Sequence, residues 1–147
     1  MRMHYSSQTG KTSPMKLTTR SQYALLALIY LGRQEKDKFI TIDTIASAQG
    51  IPSKFLEQIL LEMKRGKFVS SRKGQQGGYC LAKPAGAISL AEIIRHFDGA
   101  LSPVQSASLY FYEPSAIEKE PRLLTVFKEV RDIIAERMEK TTLADLL

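Results

Sequence analysis

Two helical patterns separated by a tight break constrain this chain more than any other feature. Between Thr41 and Gln49 the apolar residues Ile42, Ile45, Ala46 and Ala48 suit a short helix packed on one side, and Gly50 stands where a left-handed residue ends it. Ile51 then tucks back, and Pro52 opens a new start, since proline is tolerated where helical N–H groups have no partner. From Ser53 onward Leu56, Ile59, Leu60 and Met63 recur at the i, i+3, i+4, i+7 spacing of a buried stripe, while Lys54, Glu57, Gln58 and Arg65 take the opposite face. The pattern is that of a helix-turn-helix whose second helix presents polar side chains outward.

The segment after that helix carries a second signal. Gly66 is expected to end the helix, and Lys67 to Ser71 begins an extended segment. Arg72, Lys73, Gly74, Gln75, Gln76, Gly77 and Gly78 make a tight cationic turn, and Tyr79 to Ala82 returns as the partner strand. Directly after a helix-turn-helix, this hairpin reads as a wing. Gly74, Gly77 and Gly78 let the backbone approach a phosphate, and Arg72 and Lys73 provide charge. The alternative is an ordinary hairpin turn. A nucleotide loop is excluded, because no helix comes after these glycines to hold phosphate at its N-terminus.

Charge is divided to match. Residues 1 to 74 carry a net +8 and residues 75 to 147 a net −2, within the overall +6. A basic half holding the helix-turn-helix and an acidic half elsewhere suits a DNA-binding module joined to an assembly arm. The alternative is a solvated basic surface.

At 147 residues the chain suffices for one compact domain, or a small domain with an arm that needs a partner. No apolar run of about 18 residues occurs, so no membrane span is expected. Met1 to Pro14 is polar, lacks the apolar core of a secretory signal, and is expected to be a disordered tail or extension before a folded part that starts at Met15. Cys80 is the single cysteine, which rules out an internal disulfide and fits a reducing cytoplasm. His4 and His96 lie far apart in sequence. Neither a metal site nor a catalytic nucleophile and base can be assembled from this stock, so no cofactor is expected and the enzyme class is disfavoured.

Other elements complete the plan. Thr18 or Thr19 caps a helix through Tyr23 to Leu31 that is apolar almost all round, so it should be nearly enclosed by the DNA-binding unit and a second subunit. Gly32 to Lys38 is a charged loop. Ser89 caps a short helix through Leu90, Ile93, Ile94 and Phe97 that closes near Gly99. Ala100 to Pro114 is an irregular connector whose Tyr110, Phe111 and Tyr112 either line an effector pocket or pack on the next helix. That helix starts at Pro121, with Leu123, Val126, Phe127, Val130, Ile133, Ile134 and Met138 along about five turns. It has too little core of its own to cover such a stripe. A two-fold dimer interface through Leu123, Phe127, Val130, Ile134 and Met138 is therefore expected, the alternative being that the helix folds back on its own subunit.

The expected architecture is mainly α with a small β wing: residues 1 to 14 a tail, 15 to 99 a winged helix-turn-helix, and 100 to 147 a connector and dimerisation helix.

Several motifs resemble a known family. Met15 to Arg20, Tyr23-Ala24-Leu25, Ile45-Ala46, Phe55-Leu56-Glu57-Gln58-Ile59-Leu60 and Gly74-Gln-Gln-Gly77-Gly78-Tyr79 are similar to the Rrf-two family of winged-helix regulators, over Met15 to about Leu147. The resemblance implies a homodimeric bacterial transcriptional regulator on a pseudo-palindromic duplex site, and this chain is expected to act as a repressor. It also implies base-edge contacts for Glu57 and Gln58, backbone contacts for Lys54 and Phe55, and a wing contact for Lys73. Glutamine can pair with adenine, glutamate can accept from cytosine, and cations neutralise phosphate. Solvated helix positions are the alternative for Glu57 and Gln58. Phe55 stands where a tyrosine is frequent, so any phosphate bond through that hydroxyl is lost.

Sensors of the family carry a set of cysteines in the connector. Gln105 to Leu124 has none, so no iron-sulfur cluster of that kind is expected. Cys80, on the wing-strand face opposite Tyr79 and Leu81, could be exposed and is the one candidate for redox chemistry, the alternative being an incidental thiol. A small-molecule effector or a partner protein is the other expected partner, and a regulator that chiefly binds such a partner is the competing reading.

Overall fold

The computed structural model describes residues 16–99 and 116–147. Met1 to Pro14 and the connector from Ala100 to Pro114, with Tyr110, Phe111 and Tyr112, lie outside the described residues. Helix α1 spans Thr19–Gly32, α2 Ile42–Gln49, α3 Ser53–Arg65, α4 Leu90–Asp98 and α5 Pro121–Lys140; strands β1 (Val69–Arg72) and β2 (Gly78–Leu81) form the hairpin. The fold is mainly helical with one small antiparallel sheet, as expected.

Helix α1 begins where Thr18 Oγ1 accepts the Ser21 N–H at 3.2 Å. The carboxylate of Asp98, at the end of α4, accepts from the Thr18 N–H at 3.1 Å and from Ser21 Oγ at 2.8 Å. An anion at a helix N-terminus meets both unpaired N–H groups and the positive end of the dipole, so this tie orients α1 on α4. Ser21, Ala24, Ala27, Leu28 and Leu31 are buried, while Tyr23, Leu25, Ile29 and Tyr30 are half-buried and Leu26 is exposed.

The helix-turn-helix forms for the reasons its sequence suggests. Thr41 Oγ1 caps α2 through the Thr44 N–H at 3.3 Å, and Gly50 takes the left-handed conformation (φ 65°). Ile51 is buried and its N–H reaches Ala46 O at 3.0 Å. Leu56, Ile59, Leu60 and Met63 are all buried against α1 and α2. Ala48, expected on the packed side of α2, is exposed, and Ile45 and Ala46, with half-buried Ile42, make the contact.

At the end of α3 the structure departs from expectation in its cause. Gly66 keeps helical dihedrals (φ −76°), and Lys67 takes the left-handed position (φ 63°). A Cβ on Gly66 would lie 2.8 Å from Phe68 Cε2 and 3.0 Å from His96 Cε1. The glycine is there for close packing rather than for a left-handed turn.

β1 and β2 pair from Val69↔Leu81 to Arg72↔Gly78. Ile40, just before α2, pairs with Tyr79: its N–H reaches Tyr79 O at 2.8 Å, and Tyr79 N–H reaches Ile40 O at 2.7 Å. This bridge attaches the hairpin to the helix-turn-helix.

The C-terminal turn Leu143–Leu146 returns to the same core, packing on α1, with Leu143 fully buried. Its entry is fixed by the Ser89↔Thr142 bridge, Leu90 N–H to Thr141 O at 2.9 Å and Leu143 N–H to Ile88 O at 2.8 Å. Sequence grouping of residues 100 to 147 with an assembly arm misses this return.

Helix α5 is about 30 Å long and none of its residues is buried. Ile134 and Met138, expected at a dimer interface, pack on Ala91 and Ile94 of α4 in their own subunit. Arg95 and Glu139 close the pair at 2.7 Å. Phe127 and Val130 are half-buried, and Leu123, Val126 and Ile133 form an exposed apolar edge, with Ile133 68% exposed. Part of the stripe thus folds back on its own subunit, and Leu123, Val126 and Ile133 are left exposed.

Leu143→Ala is expected to lower stability by about 2 to 5 kcal/mol, the usual cost of truncating a fully buried leucine. Urea unfolding of wild type and variant measures it, and an unchanged midpoint would refute the role of the C-terminal turn in the core.

Candidate nucleic-acid interface

Burial of one stripe of α3 dictates what the helix shows to solvent. Lys54, Phe55, Glu57, Gln58, Leu61, Lys64 and Arg65 are exposed, with Phe55 61% exposed at the first turn. Ser53 begins this helix behind Pro52, and no side chain caps its first N–H groups. The helix N-terminus therefore presents free donors beside Lys54.

A cleft of about 600 Å³ separates α3 from the wing. Of the residues singled out from sequence, it brings together Lys54 and Glu57 with Arg72, Lys73, Gly74, Gly77 and Gly78. Phe55, Gln58 and Arg65 do not line it and lie on the outer flank of the helix. Glu57 and Gln58, treated as a pair in the sequence, are rotated by about 100° from each other, as successive helical residues must be. Glu57 faces Tyr79: its carboxylate, together with burial as the larger cause, pushes the Tyr79 hydroxyl pKa up.

Sequence reasoning missed Ser53, Leu61 and Lys64, which also line the cleft. A signal was present, since Glu57, Leu61 and Lys64 keep the same i, i+4, i+7 spacing that identified the buried stripe, shifted to the other face.

Arg65 is engaged elsewhere. Its Nη1 donates to Glu62 Oε2 at 3.0 Å, and His96 Nε2 lies 3.1 Å from Glu62 Oε1. The Arg65 hydrogen bond is the main reason the Glu62 carboxyl is held below the usual carboxylate range. The guanidinium of Arg72 stacks over the Phe39 ring at 4.4 Å, which holds a wing cation against the body.

The wing glycines divide by cause. A Cβ on Gly77 would lie 2.3 Å from Arg72 O, and one on Gly78 would lie 2.2 Å from Ile40 O. Both are required by the fold of the hairpin and its bridge to Ile40. A Cβ on Gly74 (φ 101°) would project into open space, so this glycine alone is free for close approach by a ligand.

Residues 17–147 match the family model described as Rrf2, iron-dependent transcriptional regulator. The chain is 34% identical over 137 residues to an rrf2-like HTH-type transcriptional regulator of Rhodobacter capsulatus, spanning 89% of this chain and 91% of the relative. Among solved structures it resembles CymR, the global cysteine regulator of B. subtilis, with TM-score 0.71 and 27% identity over 90% of this chain and 95% of that one. It also resembles IscR of T. potens, with TM-score 0.69 and 26% identity over 90% of this chain and 85% of that one.

The residues here do not fit the iron named in that family description. Thiolates hold iron-sulfur clusters, and the sequence has one cysteine. Among the described residues no group of three or more His, Cys, Asp or Glu could hold a metal ion. Cys80 is itself buried, 8% exposed, which corrects the expectation that it could be exposed. Cys80 lies on the side of β2 that shares a cavity with the charged loop between α1 and α2. Burial, then the carboxylate of Asp37, push the Cys80 thiol pKa up, with Arg72 opposing. The reactive form is the thiolate, so a raised pKa leaves less of it at neutral pH.

Cys80 is therefore expected to react with iodoacetamide more slowly in the folded protein than in urea at neutral pH. The folded rate should rise only as pH climbs past the range of a free thiol. Equal rates in the two states, measured by mass spectrometry, would refute this.

Proposed function

This chain belongs to the Rrf2 family and is a DNA-binding transcriptional regulator rather than an enzyme, and from that premise we propose that it represses as a homodimer seated on a pseudo-palindromic operator. The observation that carries the reading is the cleft in which Lys54 and Glu57 of α3 face Arg72, Lys73 and Gly74 of the wing. In the proposed complex α3 enters the major groove N-terminus first, and the wing lies along the adjacent backbone. Glu57 accepts from a cytosine amino group and Gln58 pairs with adenine from the outer flank. Lys54, Lys64, Arg72 and Lys73 neutralise phosphates, and Gly74 lets the backbone come close. Phe55 and Arg65 flank the helix where they meet sugar and phosphate once the groove closes around it.

Two such helices must sit about 34 Å apart, one duplex turn, to read two half-sites. The uncovered apolar edge of α5, Leu123, Val126 and Ile133, with Val130 beside it, supports pairing of two copies through this helix. Repression is by occlusion of a promoter. Control by a small-molecule effector or a partner protein belongs to the same reading. A cytoplasmic location does too, in keeping with a single unpaired cysteine. Among the described residues no helix is long and apolar enough to cross a membrane. No step of this mechanism runs through iron, and none through oxidation of Cys80.

Gln58→Ala is expected to relax base preference by about 1 to 3 kcal/mol at one position, whereas Lys73→Ala weakens all duplexes alike and reduces the salt slope by about one. Fluorescence anisotropy on selected and random duplexes over a salt series separates the two. Equal loss on both duplexes for both variants would contradict the assigned roles.

Ile133→Glu is expected to convert the dimer to a monomer by light scattering and to weaken operator binding by about tenfold or more. A wild type that runs as a single subunit would overturn the dimer.

A further inference from the structure

Strand β2 has two faces with different surroundings. Tyr79 lines the cleft beside α3, and its neighbour Cys80 points the other way, as alternate strand residues do, into a second cavity. That cavity holds about 370 Å³ between the end of α1, the loop Gln34 to Lys38, and the stretch from Cys80 to Ala85. The volume lies at the small end of the range for ligand sites, about 300 to 1,000 Å³.

Its walls are of two kinds. Leu31, Leu81, Ala85 and the buried thiol of Cys80 provide an apolar side. The loop provides Glu35, Lys36, Asp37 and Lys38, alternating in sign. Among the described residues no ion pair or side-chain hydrogen bond engages these four. Lys83, also at the rim, is held by Glu92 at 3.6 Å and by the Phe68 ring at 5.4 Å. Asp37 adopts a left-handed backbone (φ 61°), unusual outside glycine and tolerated best by Asp and Asn. Asp37 and Cys80 line the same cavity.

These charges select among ligand types. A simple anion would meet Glu35 and Asp37, and a simple cation would meet Lys36 and Lys38. A neutral apolar molecule would gain nothing from the four exposed charges at the rim. A molecule with both charges and a short apolar body satisfies loop and wall together. We propose that this cavity binds a small zwitterion of amino-acid size with an apolar side chain. Its ammonium group meets Glu35 and Asp37, its carboxylate meets Lys36 and Lys38, and its side chain lies on Leu31, Leu81 and Ala85. Because the same strand borders the cleft beside α3, occupancy bears directly on the wing.

The test titrates nitrogen-labelled full-length protein without DNA, monitoring backbone amide shifts in NMR spectra. The probes are L-leucine, isocaproate, which lacks its ammonium group, and isoamylamine, which lacks its carboxylate. L-Leucine is expected to give saturable shifts at Gln34 to Lys38 and Cys80 to Lys83, with each single-charge analogue about tenfold weaker or more. Asp37→Asn keeps the backbone conformation and is expected to weaken L-leucine about fivefold while isocaproate, relieved of one like charge, binds no more weakly than to wild type. Ala85→Phe fills the cavity and is expected to abolish the shifts. The absence of saturable shifts, equal affinity for the three probes, or normal L-leucine binding by Ala85→Phe would each overturn the proposal. Duplex binding by the same samples shows that the variants are folded. Failure of the regulator reading would instead appear as loss of duplex binding by the wild type, a separate outcome.

Discussion

Burial of Leu56, Ile59, Leu60 and Met63 beneath α1 and α2 sets the orientation of everything that faces outward. Enclosing four such side chains stabilises the fold by roughly 6 to 12 kcal/mol, at about 1.5 to 3 kcal/mol each. That gain is comparable to the net stability of a whole domain, about 5 to 15 kcal/mol, so the helix cannot rotate about its axis without unfolding the unit. Rotation of α3 decides which residues reach a duplex. Lys54, Glu57, Leu61 and Lys64 turn toward the wing because the buried stripe holds the other side.

The wing takes its place from the same core. Phe68 and Val69 are buried at its base, and the Ile40–Tyr79 bridge ties β2 to the segment that enters α2. A two-stranded hairpin alone is marginal in water, and a third short pairing together with a buried base makes it part of the domain. Gly77 and Gly78 are the steric condition for that arrangement, because any Cβ would collide with backbone. The strand then serves two surfaces at once, Tyr79 toward the groove-facing cleft and Cys80 toward the cavity behind it.

Helix α5 is joined to this unit at its far end. Thr141 to Leu143 pair with Ile88 to Leu90, and Leu143 enters the main core. One edge of α5 rests on α4 through Ile134 and Met138, and Leu123, Val126 and Ile133 are left exposed. Asp98 connects α4 to the first turn of α1 through Thr18 and Ser21, so α5, α4 and α1 form a continuous path from the uncovered edge to the helix that packs on α3.

Local signals were sufficient for much of this. Thr18, Thr41 and Ser89 cap helices because a hydroxyl there reaches an N–H two or three residues on, and Gly50 turns left-handed because it lacks a Cβ. The i, i+3, i+4, i+7 stripe of α3 and the alternation of β2 depend only on residue order. The amino-acid sequence by itself therefore determined the elements, their caps, the inward face of α3 and the cationic hairpin after it. Tertiary structure alone decided that Gly66 serves Phe68 and His96, that Cys80 is covered, that Leu143 returns to the core, and that the cleft opens on the Glu57 side of α3 rather than the Gln58 side. Each of those outcomes is a distance between residues far apart in the chain or on diverging faces, and such distances are set by packing, which no local pattern encodes.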